Sequence, residues 1–354
     1  MKSGAFSGGL LRAVGRFLAA AAILLYGAWG GFALWYQLPF ARPVVTLVIG
    51  GWLLLSLMMG ATLARRRRPV ERPLLVVYLV AVVGLAAWWG TLAPSHDRVW
   101  ADDVARMTHG SALGNLVTLD NVRNFEWRTE TDYTPRWEIR RYDLDRLVSV
   151  DLILSSWGVP GIAHTLVSFG FEDGEQVVFS VEIKKERHEA FSAIGGFFKE
   201  FEMSVVAADE RDIVRVRTSV RGEQVSLYNI DMPVSAMREL FLSYVKTAND
   251  LLSEPRFYNT VTANCTTIVY RMMLAIVPGL PADYRILLSD YLPDYLYKLG
   301  VLDMRYSLPE LKAQAYIGER AARAGDTPGF SRAIRAVDAG VDPAAASASG
   351  QGVL

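Results

Sequence analysis

Residues 162–183 read IAHTLVSFGFEDGEQVVFSVEI, and the pairing register of this stretch decides how the surrounding domain is built. Asp173-Gly174 marks a turn between two runs rich in Val and Phe. A loop of only those two residues would set Phe169 opposite Val178 and Phe179 opposite Ser168, scattering aromatic side chains over both faces. A three-residue loop, Glu172-Asp173-Gly174, has Gly174 in the left-handed position of a bulge-forming turn. It gathers Val167, Phe169, Phe171, Val177, Phe179, Val181 and Ile183 on one face, the expected core. The other face is then mostly polar: His164, Leu166, Ser168 and Gly170 on one strand, Gln176, Val178, Ser180 and Glu182 on the other. In this register His164 stands opposite Glu182. Cross-strand β-carbons lie about 5 Å apart, which lets a carboxylate orient an imidazole. A solvent-facing His/Glu pair is the ordinary reading of such a hairpin; the cysteine further along argues for more.

Cys265 is the only cysteine in the chain. It follows Asn264, a natural helix cap, and precedes an apolar helix that carries Ile268, Val269, Met272, Met273 and Ile276 and is stopped by Pro278, Gly279 and Pro281. In a first helical turn, free N–H groups and the helix dipole favour a thiolate over a thiol of ordinary pKa near 8.5. The N–H groups at this cap, around Asn264 and Thr266, are also expected to hold an oxyanion during acyl transfer. An unpaired cysteine is more often a small buried hydrophobe, yet in an exported protein a single thiol gains no disulfide and risks oxidation. Cys265, His164 and Glu182 together have the residue types of a thiol acyl-transfer centre: nucleophile, proton shuttle and orienting carboxylate.

Toward the N-terminus, residues 17–38, 44–63 and 74–92 are each about 20 residues long, carry no charged side chain and suit three membrane-spanning helices. Lys2, Arg12 and Arg16 precede the first, and Arg65 to Arg68 with Arg72 fill the second loop, whereas the first loop holds only Arg42. Basic loops stay cytoplasmic. The N-terminus is therefore expected in the cytoplasm, and everything beyond residue 92 in the periplasm of a bacterial inner membrane. Trp35, Tyr36, Trp88 and Trp89 fall at the outer ends of spans one and three, as interfacial aromatics should. Residues 1–94 read as the anchor, 95–319 as the periplasmic domain, and 320–354, dominated by Ala, Gly, Ser and Arg, as a low-complexity tail.

The 37 basic and 37 acidic side chains balance, so nothing resembles a nucleic-acid footprint. One cysteine and four histidines give no basis for a disulfide or a metal centre, and no cofactor is expected. A juxtamembrane helix is expected over 95–115, strands over 121–154, 204–220 and 224–228, and helices over 234–252 and 266–277. Arg211, Arg215, Arg217 and Arg221 alternate as on a strand and are candidates for binding an anion, although a solvated sheet face is the commoner meaning. Tyr284, Tyr291, Tyr295 and Tyr297 read as helix packing rather than as a lipid groove.

The runs Ile162-Ala163-His164-Thr165, Ser168-Phe169-Gly170-Phe171 with Asp173-Gly174, Ser180-Val181-Glu182-Ile183-Lys184-Lys185-Glu186, Asp209-Glu210-Arg211-Asp212, and Tyr258-Asn259 with Asn264-Cys265-Thr266-Thr267 resemble the Lnb N-terminal periplasmic domain family over about 121–303. That family includes lipoprotein N-acyltransferases similar to permuted papain-like thiol enzymes of the NlpC type. The resemblance implies an α+β fold with an antiparallel sheet packed on helices. For the site it implies Cys265 as nucleophile, His164 as general base and acid, and Glu182 as orienter. The implied reaction is acyl transfer from a membrane phospholipid through a thioester on Cys265 to a lipoprotein or other amine or hydroxyl acceptor. The three-helix anchor departs from the acyltransferases of the family and leaves the acceptor open. A peptidoglycan or other amide hydrolase with the same three residues, and a membrane-tethered interaction domain with a merely buried cysteine, are the alternatives.

Overall fold

The computed structural model of the protein describes residues 4–65 and 72–336. Lys2, Arg66 to Arg68 and residues 337–354, which enter the orientation and tail expectations, lie outside them. The chain divides into two units, Met1–Ser95 with Ser192–Glu200, and His96–Phe191 with Phe201–Leu354.

The first unit is built on helices α1 (Gly4–Gln37), α2 (Arg42–Ala64) and α3 (Arg72–Thr91), each long and apolar enough to cross a membrane. Small residues let α1 and α2 approach closely: a Cβ on Gly30 would fall 2.6 Å from the Trp52 ring, whose Nε1 donates to the Gly27 carbonyl at 2.7 Å. Segment Ser192–Glu200 belongs to this unit. Phe198 stacks on Phe32 and Tyr36, its carbonyl accepts from Gln37 Nε2 at 2.8 Å, and Lys199 Nζ donates to the carbonyls of Trp89 and Leu92. Tyr36 and Trp89, expected as interfacial aromatics, thus also hold a returning loop.

The second unit is α+β, as expected. Its strands are β1 (His109–Leu113), β2 (Leu116–Arg123), β3 (Glu126–Trp127), β4 (Tyr133–Thr134), β5 (Trp137–Asp143), β6 (Leu147–Ser156), β7 (His164–Phe171), β8 (Gln176–Lys184), β9 (Glu202–Ala208) and β10 (Gln224–Asn229). The main sheet runs β1-β2-β9-β8-β7-β6-β10, with β5 also on β2. It is mixed rather than wholly antiparallel, because β2 and β9 pair in parallel at Arg123 and Ala208. The hairpin register is the expected one: Val167 pairs Phe179, Phe169 pairs Val177 and Gly170 pairs Gln176. Gly174 has φ +84, and the loop is closed by the Gly174 N–H on the Phe171 carbonyl and the Phe171 N–H on the Glu175 carbonyl.

Helices α4 (Glu210–Arg215), α5 (Val234–Ser253), α6 (Cys265–Ile276), α7 (Leu292–Leu299), α8 (Leu308–Ala315), α9 (Gly318–Ala324) and α10 (Phe330–Arg335) complete the domain. Both sheet faces are covered. Phe169, Phe179 and Val181 pack with Phe241 and Tyr244 of α5 and Met272 of α6. The face read as polar instead buries Leu166, Val178 and Val206 against Ile213, Ala321, Phe330 and Ile334.

Three expectations are corrected. Residues 95–115 hold a short 3-10 turn, Asp102–Val104, and strand β1 rather than a juxtamembrane helix. Residues 210–220 are helical, not a strand: Asp209 caps α4 by accepting from the Arg211 N–H, and a π-helical turn, Val216–Val220, extends it. Alternation of Val and Arg over 214–217 imitated a strand. Residues 320–336 are packed in the domain rather than forming a tail, because Arg335 reaches the buried Asp151 and Glu210, both at 2.6 Å. The run Asp209-Glu210-Arg211-Asp212 is therefore largely scaffold. Glu210 also accepts from Ser168, while Asp212 accepts from Arg123, the Phe125 N–H and Trp127 Nε1.

Candidate active site

His164 opens β7 and Glu182 stands on β8, so the hairpin register carries one to the other. His164 Nε2 lies 3.1 Å from Glu182 Oε1 and 2.7 Å from Ser180 Oγ. Ser180 Oγ donates to the same carboxylate oxygen at 2.8 Å, as does Arg217 Nη2 at 2.8 Å. Arg217 comes from the π-helical turn, a local widening often found where a side chain must be aimed. Burial raises the Glu182 carboxyl, but His164, Arg217 and the hydrogen bonds of His164 and Ser180 outweigh it and hold it well below the usual carboxylate range. Glu182 is therefore a fixed anion.

Asn264 caps α6 as expected, and does so through a capping box: its Oδ1 accepts from the Thr266 N–H at 3.0 Å and the Thr267 N–H at 2.8 Å, and its own N–H donates to Thr267 Oγ1 at 2.9 Å. Cys265 is the first residue of that helix, with 7% of its surface exposed. Burial raises its thiol. The charge of His164, a side-chain hydrogen bond with that ring, the Thr165 N–H and the Thr266 hydroxyl outweigh burial and hold the thiol below its ordinary value. Burial and Arg217 oppose a charged imidazole, but Glu182 and Cys265 push His164 up to about 9. Nε2 of that ring is taken by Glu182 and Ser180. Both shifts favour the thiolate–imidazolium form, the state in which a cysteine is nucleophilic.

Because Asn264 takes the N–H groups of Thr266 and Thr267, those donors are not available to an oxyanion, contrary to the expectation for Thr266. The Tyr258 hydroxyl lies at Cys265, where burial and the thiol's charge raise its pKa. Tyr258 was legible only as part of a motif, with no signal of its role. Arg217 does reach the centre, as the partner of Glu182 rather than as an anion site. Arg211 and Arg215 do not: both face Asp326, and Arg215 also donates to the Trp127 carbonyl. A cavity of about 280 Å³ gives onto His164, Glu182, Arg217 and Tyr258, with Trp157 and Phe191 also lining it.

Among known proteins, no curated sequence and no solved structure matches the chain. The model of the Lnb N-terminal periplasmic domain matches residues 133–290, a span that includes Cys265, His164 and Glu182. Over those residues the chain is similar to the Lnb N-terminal periplasmic domain family.

Proposed function

We propose that the domain is a membrane-anchored, cysteine-dependent acyltransferase that works through a thioester on Cys265. The observation that carries this reading is the line from Arg217 through Glu182 to His164, together with the lowering of the Cys265 thiol by the charge of that imidazole. In the first half-reaction the Cys265 thiolate attacks the ester carbonyl carbon of a phospholipid. The C–S bond forms, the C–O bond to glycerol breaks, and the His164 imidazolium gives its proton to the departing oxygen, releasing a lysophospholipid. The Tyr258 hydroxyl, beside Cys265, is the donor for the tetrahedral oxyanion. In the second half, an amine or hydroxyl of a lipoprotein or other acceptor attacks the thioester, neutral His164 takes its proton, and Cys265 leaves as thiolate.

Hydrolysis of an amide would use the same residues. Three helices able to cross a membrane in the same chain favour a lipid donor over a soluble one. The test is lysophospholipid release from phosphatidylethanolamine nanodiscs containing the full chain. Cys265→Ser and His164→Ala should each abolish it. Release undiminished in Cys265→Ser would end the proposal.

A further inference from the structure

A second cavity, of about 430 Å³, lies in the same domain, and Thr165 and Thr266, the residues next to His164 and Cys265, are part of its wall. From it we infer that the domain binds the hydrocarbon chain of a membrane phospholipid there, so that the acyl group lies along the cavity while its carbonyl carbon meets Cys265. The orientation of the chain rests on the acyl-transfer reading. The chemistry of the cavity does not.

The lining is carbon, from β6, β7, α5, α6 and α7: Leu152, Val167, Leu240, Val269, Met273 and Leu299 are representative. Its polar groups look elsewhere for partners. The Tyr270 hydroxyl donates to the Leu280 carbonyl at 3.0 Å and the Tyr295 hydroxyl to the Pro281 carbonyl at 2.9 Å, which leaves the tyrosines in contact with the cavity without a polar atom to satisfy. Thr165 Oγ1 and Thr266 Oγ1 bond each other at 2.9 Å, so the wall toward the thiol asks nothing polar of a ligand. Asp231, the one charged residue of the lining, is exposed. A headgroup, sugar or peptide would therefore bury polar atoms there without partners.

Size excludes a packing defect. Close-packed interiors leave few voids larger than a water, and an apolar cavity of about 150 Å³ already admits a benzene ring. A space nearly three times larger, next to a nucleophile that would carry an acyl group, fits a flexible chain of methylenes. Tyr295, read from the sequence as helix packing, is thus also a wall of this cavity.

The test uses the full chain in phosphatidylethanolamine nanodiscs doped with a phosphatidylethanolamine that carries a diazirine near the methyl end of one acyl chain. After irradiation, adducts are mapped by peptide mass spectrometry. Adducts are expected on α5, α6 and α7, in wild type and in Cys265→Ala alike. Ala236→Phe, which puts a ring into the cavity, should reduce them at least tenfold, and Val301→Phe provides a second obstruction should the first variant fail to fold. Alkylation of Cys265 by iodoacetamide at the wild-type rate certifies the fold of either. Adducts confined to α1, α2 and α3, or unaffected by a folded cavity-filling variant, overturn the inference. Cavity adducts with no thioester on Cys265 would uphold the binding site and end the transfer reading. A thioester without cavity adducts would do the reverse.

Discussion

Replacing Glu182 with Gln removes the anion that keeps the His164 imidazole charged, and the size of the effect follows from the contact. The carboxylate oxygen is 3.1 Å from Nε2, in a pair whose side chains are 14% and 16% exposed. Opposite unit charges about 4 Å apart in such surroundings interact by about 4 kcal/mol, or about three decades in the protonation constant. Arg217, left without its carboxylate, pushes the imidazole in the same direction. From about 9 in the wild type, His164 should fall to about 6 or lower. Cys265 then loses the cation that offsets its burial, so its pKa rises. The assay is the pH dependence of iodoacetamide alkylation of the single thiol. Wild type should react across a plateau that begins below the ordinary thiol range, whereas Glu182→Gln should react at pH 7 at least tenfold more slowly and recover only toward alkaline pH. Activity needs thiolate and imidazolium together, so the wild-type profile should rise as Cys265 deprotonates and fall as pH passes about 9. For the variant the falling limb moves acidic. An alkylation profile unchanged by the substitution would refute the coupling.

Arg335→Met should destabilise the domain by about 3–5 kcal/mol, because it strands two buried carboxylates; a loss under about 1 kcal/mol in thermal or denaturant unfolding would remove α10 from the structural core. Gly174→Ala, forcing an alanine to the positive φ of the hairpin loop, should cost about 1–2 kcal/mol by the same measurement, and no loss would argue against the three-residue loop. The distribution of basic residues predicts that a phosphatase reporter fused after Leu92 is active in the periplasm, and activity confined to cytoplasmic reporters would reverse the orientation.

The parts of the architecture that repeat with a short period could be read from the sequence. Three uncharged apolar runs gave the helices long and apolar enough to cross a membrane, α2 and α3 to within two residues at each end, although α1 begins at Gly4, well before residue 17; aromatic alternation gave the hairpin register, which carries His164 to Glu182. The Asn264 cap was equally plain, because capping is a local matter of one side chain and two N–H groups. What failed was long range. The second sheet face looked polar because Ser168 and Ser180 stand among its residues, yet distant chain covers it: Phe330 and Ile334 arrive from the segment read as tail. Arg217 could not be assigned to Glu182, since the π-helical turn that aims it has no period visible beside the Val/Arg alternation. Tyr258 likewise gains its place at Cys265 only from tertiary packing.

The central claim is that Cys265 carries the acyl group, and intact-mass spectrometry of the full chain after brief exposure to phosphatidylethanolamine of uniform chain length tests it most directly. The account predicts one added acyl mass, removed by neutral hydroxylamine as a thioester is, mapped to Cys265 and absent from His164→Ala. An unmodified wild-type protein that nonetheless releases lysophospholipid, or an adduct on another residue, would contradict it.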